Sequence, residues 1–104
     1  MTIREFQKLI ERIYYERDKA RGIGLTFTWF IEEVGELARL MVRPDPKRLD
    51  GEFADVFAWL ATLASLSGVD LEAAAAKKYG GGCPRCGATP CKCAAEARRS
   101  ETPG

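Results

Sequence analysis

The sequence predicts an all-α fold: a bundle of three longer helices and one short helix, followed by a small cysteine-rich tail. Two observations predict the bundle. Apolar residues recur at steps of three and four along most of the chain, and no segment alternates as a strand would. A third separates the tail: all four cysteines fall between Cys83 and Cys93, just beyond Gly80-Gly81-Gly82. At 104 residues the chain allows one compact domain with an appendage. The expected divisions are residues 1–79, 80–97 and a disordered end at 98–104.

Thr2 and Glu5 form a capping-box pattern that opens the first helix. Ile3, Phe6, Ile10 and Ile13, with Leu9 beside them, make its apolar stripe, and Gly22 and Gly24 end it after Arg21. A second helix is expected from Thr26 or Thr28 to Val42, burying Phe30, Val34, Leu37 and Met41. Pro44-Asp45-Pro46 forces a turn, because neither proline continues a helix interior. The third helix is expected over Lys47–Leu66 with Phe53, Val56, Phe57, Leu60 and Leu63 inward. Gly68 stops it, Asp70 serves as an N-cap, and Leu71–Tyr79 forms the short fourth helix. Short connections make neighbouring helices antiparallel.

The chain contains no histidine, which excludes Ser–His and Cys–His dyads and imidazole metal sites. No run of 18 apolar residues is present, so no membrane span or membrane partner is expected. Met1–Glu5 offers no apolar signal core, which points to a cytoplasmic location. Residues 1–79 carry 12 basic and 13 acidic side chains, and residues 80–104 carry 4 and 2. Neither part is basic enough to mark a nucleic-acid face.

The second and third helices carry the chemistry. Glu33 and Glu36 share one face at i, i+3, and Glu52 and Asp55 repeat that spacing. Both pairs lie roughly 10–14 Å from the turn at Asp45, so antiparallel helices bring them to one level. Either pair alone is ordinary on a solvated helix. Four carboxylates converging beside Phe30, Ile31, Phe53, Val56 and Phe57 raise one another's pKa unless a cation neutralises them. Hard oxygen donors select Mg²⁺ or Mn²⁺, and such a site suits phosphate chemistry.

Glu33-Val34-Gly35-Glu36 and Glu52-Phe53-Ala54-Asp55 resemble the E-x-x-E…E-x-x-D signature of all-α nucleoside triphosphate pyrophosphohydrolases, and the wording is most similar to MazG-type members. The resemblance spans about residues 3–79. It implies Mg²⁺-dependent hydrolysis of a (d)NTP to a (d)NMP and pyrophosphate, by water attack on phosphorus. It also implies a homodimer or dimer of dimers, since one short bundle does not enclose a nucleotide. Carried onto this chain, Glu33, Glu36, Glu52 and Asp55 become Mg²⁺ ligands. Glu32 is the spare carboxylate for a general base. Lys77 and Lys78 either meet phosphate or form a solvated helix end. Trp29, one turn before Glu33, either stacks on a base or packs, and Trp59 divides the same way. Tyr14 and Tyr15 read as packing or subunit-contact residues, and Arg43, Lys47 and Arg48 as solvated loop.

The tail reads differently. Cys83-Pro84-Arg85-Cys86-Gly87 has the form of a zinc knuckle, and Cys91-Lys92-Cys93 completes C-x₂-C-x₄-C-x-C. In a reducing compartment four clustered thiols favour Zn²⁺ over disulfides. Redox thiols and an unmetallated tail are the alternatives. Ala94–Arg99 reads as a possible extra helical turn. Two other functions stay open: a phosphoribosyl-ATP pyrophosphohydrolase, and a binding module whose knuckle contacts nucleic acid or a protein on a helical dimerisation scaffold. Arg85, Lys92, Arg98 and Arg99 give only thin support for nucleic acid.

Overall fold

The computed structural model describes residues 1–94. Four helices follow one another, α1 (Ile3–Arg21), α2 (Ile23–Val42), α3 (Pro46–Leu66) and α4 (Leu71–Tyr79), with no strand among the described residues. Two compact units divide within the first turn of α4, at Glu72 and Ala73. The extra helical turn and the disordered end read for residues 94–104 fall outside the description, save Ala94, which is irregular.

In the first unit each helix boundary has a local cause. Thr2 and Glu5 form a reciprocal capping box, the Glu5 amide donating to Thr2 Oγ1 at 3.0 Å and the Thr2 amide to Glu5 Oε1 at 2.8 Å. Those bonds hold the Glu5 carboxyl below its ordinary pKa. One residue, Gly22, joins α1 to α2, and its φ of 84° explains why glycine stands there. α2 therefore starts at Ile23, ahead of the expected Thr26 or Thr28. Gly24 is absorbed into its first turn, where no side-chain cap is needed to announce a start. Asp45 caps α3 by accepting from the Lys47 amide at 3.1 Å, with Pro46 as its first residue. At its far end Val69 N donates to Ala64 O and Gly68 N to Ser65 O, a Schellman closure with Gly68 at φ 72°.

α3 packs against both α1 and α2. Phe6 stacks on Phe57 with ring centroids 4.8 Å apart. Gln7, buried on α1, holds the α3–α4 turn. Its Nε2 donates to Val69 O at 2.8 Å and Ser65 Oγ at 3.1 Å, and its Oε1 accepts from Leu71 N at 2.9 Å. Arg4 pairs with Asp70 and Glu72 at 2.7 and 2.8 Å. At the α1–α2 joint Arg21 donates to Asp18 and to Thr26, while Thr62 of α3 donates to Asp18 at 3.2 Å. Thr26 is completely buried there.

The apolar core is thinner than the periodicity implied. Ile10, Leu40, Ala61 and Ala64 are buried, whereas Ile3, Ile13, Val34, Met41, Phe53 and Leu60, all expected inside, are exposed. Met41 and Phe53 are each 52% exposed. Periodicity marks the face an apolar residue occupies, but three helices leave part of each face uncovered.

Candidate active site

Glu33 and Glu36 stand one turn apart on α2, and Glu52 lies in the second turn of α3. One carboxylate oxygen from each falls within 4.8 Å of the others. Glu52 is buried, and Glu33 and Glu36 are half-buried. Oε2 of Glu33 and Oε2 of Glu52 are each buried without a hydrogen-bond partner. Anionic oxygens so placed are costly unless something positive meets them. Arg48 supplies one contact, 3.4 Å from Glu52 Oε1, across one turn of α3. That arginine, read from sequence as solvated loop, is 59% exposed and leaves the two orphaned oxygens unmatched.

The Glu33 carboxyl is pushed above its ordinary pKa, first by burial and then by the charges of Glu36, Asp55, Glu52 and Glu32. Asp55 is thus close enough to act on Glu33. It is exposed, however, and stands outside the three-oxygen cluster. Glu32 is exposed on α2 and is the smallest of these influences. The oxygen donors and orphaned lone pairs fit a hard divalent cation, which Glu33, Glu36 and Glu52 could hold. They give no sulfur or nitrogen donor to a softer one.

The other singled-out residues separate. Trp29 is 42% exposed, one turn before Glu33. Trp59 is half-buried, and Arg21 lies over its ring at 4.9 Å, a cation–π contact on one face of the indole. Tyr14 and Tyr15 are exposed on α1, with Lys19 5.9 Å from the Tyr15 ring. Arg43 and Lys47 are exposed beside the α2–α3 turn. Lys77 and Lys78 occupy the last turn of α4 in the second unit.

Sequence reasoning missed Asp18, which is buried and ordered by Arg21 and Thr62. Its signal was present: Gln7, Glu11, Tyr14 and Asp18 continue one helical row, and its buried members make polar contacts with α3.

A second cluster lies in the other unit, where the sulfurs of Cys83, Cys86, Cys91 and Cys93 all fall within 4.8 Å of one another. Backbone N–H groups of Lys92 and Ala88 bring the Cys86 thiol down to about 6, and the Cys83 thiol is lowered by the backbone of Cys86 and Arg85. Cys93 is pushed up to about 12, foremost by its side-chain hydrogen bond with Cys91 and then by burial. Among the described residues no single helix is long and apolar enough to cross a membrane.

No curated protein matches the chain. The MazG nucleotide pyrophosphohydrolase domain matches residues 23–86, from the first residue of α2 to the second cysteine of the knuckle. The match leaves α1 outside and extends beyond Tyr79, so its limits differ from the 3–79 read by resemblance. It covers most of the chain and includes every carboxylate of the cluster, and a divalent metal is what that family implies for them. The chain belongs to the MazG nucleotide pyrophosphohydrolase family.

Proposed function

We propose that this chain is a cytoplasmic, Mg²⁺-dependent nucleoside triphosphate pyrophosphohydrolase that converts a (d)NTP and water to a (d)NMP and pyrophosphate. The observation that carries the reading is the pair of buried, partnerless oxygens on Glu33 and Glu52 beside Glu36, in a chain of this family. Those three residues would hold the cation, with Asp55 as a fourth ligand reached from the exposed side of α3. When bound, Mg²⁺ supplies positive charge to the polyphosphate and acidifies a water for attack on phosphorus.

The protein's own residues do the rest. Glu32, exposed on α2 beside the cluster, accepts the proton that the attacking water releases. Arg48 restrains the Glu52 carboxylate through its second oxygen. Trp29 offers an exposed ring for the base. In this proposal Lys77 and Lys78, in the last turn of α4, keep the phosphate role that the resemblance implies. The exposed Ile31, Val34, Met41, Phe53 and Leu60 support assembly with further copies of the chain, which would exclude water from the nucleotide.

The test is release of monophosphate and pyrophosphate from the eight standard NTPs and dNTPs with Mg²⁺, beside a Glu36→Gln, Asp55→Asn double variant. Turnover by the unmodified protein, lost in the variant, supports the reading, and the rate order identifies the substrate. Turnover of none of the eight by a folded, Mg²⁺-loaded protein rejects it, and phosphoribosyl-ATP is then the next substrate to assay. Absence of turnover there too leaves a binding scaffold.

A further inference from the structure

The second unit contains α4 from Ala73 onward and the cysteine loop. Neither has an apolar core. No residue of α4 is buried, and within residues 80–94 only Gly82, Cys83, Ala88 and Cys93 are even half-buried. A nine-residue helix is too short to be stable in water by itself. Yet the segment has a defined path. Gly80 N donates to Ala76 O at 2.8 Å and Gly82 N to Tyr79 O at 3.0 Å, turning the chain out of the helix. Cys83 N then donates to Ala88 O at 3.0 Å and Gly87 N to Cys83 O at 2.7 Å, closing the knuckle.

The sulfur geometry identifies what the segment is built around. Cys83 and Cys93 sulfurs are 3.9 Å apart, and those of Cys86 and Cys91 are 4.0 Å apart. A disulfide requires about 2.05 Å. A tetrahedron with zinc–sulfur bonds of about 2.3 Å has edges of about 3.8 Å. Backbone donors face the sulfurs as well: Lys92 N reaches Cys86 Sγ and Cys93 N reaches Cys91 Sγ, both at 3.3 Å. Such outer bonds orient thiolate ligands around a metal. Four thiolates around one divalent cation leave a charge of −2, and the loop carries Arg85 and Lys92.

We propose that Cys83, Cys86, Cys91 and Cys93 hold one Zn²⁺ in a closed tetrathiolate site whose work is to order the C-terminal end of α4, with Lys77 and Lys78 on it. With no open position the metal is structural, and its binding energy replaces the missing core. The site stands whether or not the chain hydrolyses nucleotides, because its readouts are metal content, ligand spectrum and backbone order.

The full chain, produced with zinc and kept reduced, should carry one zinc per chain by elemental mass spectrometry. Replacement by Co²⁺ should produce the thiolate charge-transfer and tetrahedral ligand-field bands. Hydrogen exchange over residues 76–93 should slow by at least about tenfold on adding metal, while the buried positions of α1–α3 stay unchanged. Cys86→Ser and Cys91→Ser should each lose the cobalt bands and the slowing. The unmodified chain keeps the test independent of whether those variants fold. Four freely titrating thiols in the presence of excess zinc, iron in place of zinc, or metal bound with no change in exchange at residues 76–79 would each overturn the proposal.

Discussion

The two ligand clusters are built on opposite plans. The carboxylates project from two packed helices whose ends are fixed by Gly22, the Asp45 cap and the Gly68 closure. The thiolates sit in an eleven-residue loop that buries almost nothing. In the first, the scaffold exists before any ion arrives and carries the electrostatic penalty of holding Glu33 and Glu52 oxygens partnerless. In the second, on the zinc site proposed above, the ion would be the scaffold. A preformed oxygen site can exchange a weakly held cation along with substrate, whereas a loop that depends on its metal must retain it.

The sharpest way to break this contrast is Glu52→Gln. The substitution removes a buried charge while keeping its shape and its contact with Arg48. Hydrolysis should fall by at least about 100-fold, as loss of a direct metal ligand exceeds outer-shell effects. Thermal stability without metal should hold or rise by about 1 kcal/mol. A melt destabilised in parallel with activity would mean the carboxylate is a structural ion-pair partner instead.

The next effect concerns zinc removal by a thiophilic chelator in excess Mg²⁺. The α1–α3 melt should stay in place while protection from exchange over the cysteine loop collapses. A coincident loss of both would show one cooperative unit where the plan requires two. Within the loop, Gly82→Ala sharpens the point. A Cβ there meets Thr89 Oγ1 at 2.7 Å and the Gly87 carbonyl at 3.0 Å, at a φ of 101°. Zinc affinity should drop about tenfold, the scale of one strained backbone position, and a competition titration with a chromogenic chelator reads it.

The smallest expected effect is on pH. Glu33 has a folded-state pKa raised above its unfolded value, so the metal-free fold retains a proton that the unfolded chain has released. The Glu33 contribution to the stability of the metal-free protein should therefore be full below the ordinary glutamate range and be lost as pH rises through it to the raised value. Mg²⁺ should flatten that decline by favouring the charged carboxylate. Melting curves from about pH 4 to about pH 7, with and without Mg²⁺, measure this; equal slopes would refute it.

The sequence made the turns and caps legible because they depend on a few neighbouring residues. Thr2 with Glu5, Pro44-Asp45-Pro46 and Gly68 act locally, and α1, α3 and α4 lie within a residue of their expected limits. The start of α2 was missed because a one-residue joint at Gly22 looks, in sequence, like the beginning of a loop. Matched distances from one turn placed Glu33, Glu36 and Glu52 together, since helix rise is fixed. Asp55 falls beside that cluster because spacing specifies height along a helix and leaves azimuth loose. The exposure of Met41 and Phe53 was not legible at all, because periodicity contains no information about what faces an apolar stripe.

The joint at Gly22 has a practical consequence for anyone trimming this protein. The family match begins at Ile23, and an expression fragment drawn to that boundary would discard α1. It would strip Phe6 from Phe57, remove Gln7 from the α3–α4 turn and take Asp18 from Thr62. The matched residues define kinship, but the contacts that hold α3 and its closing turn reach back to α1.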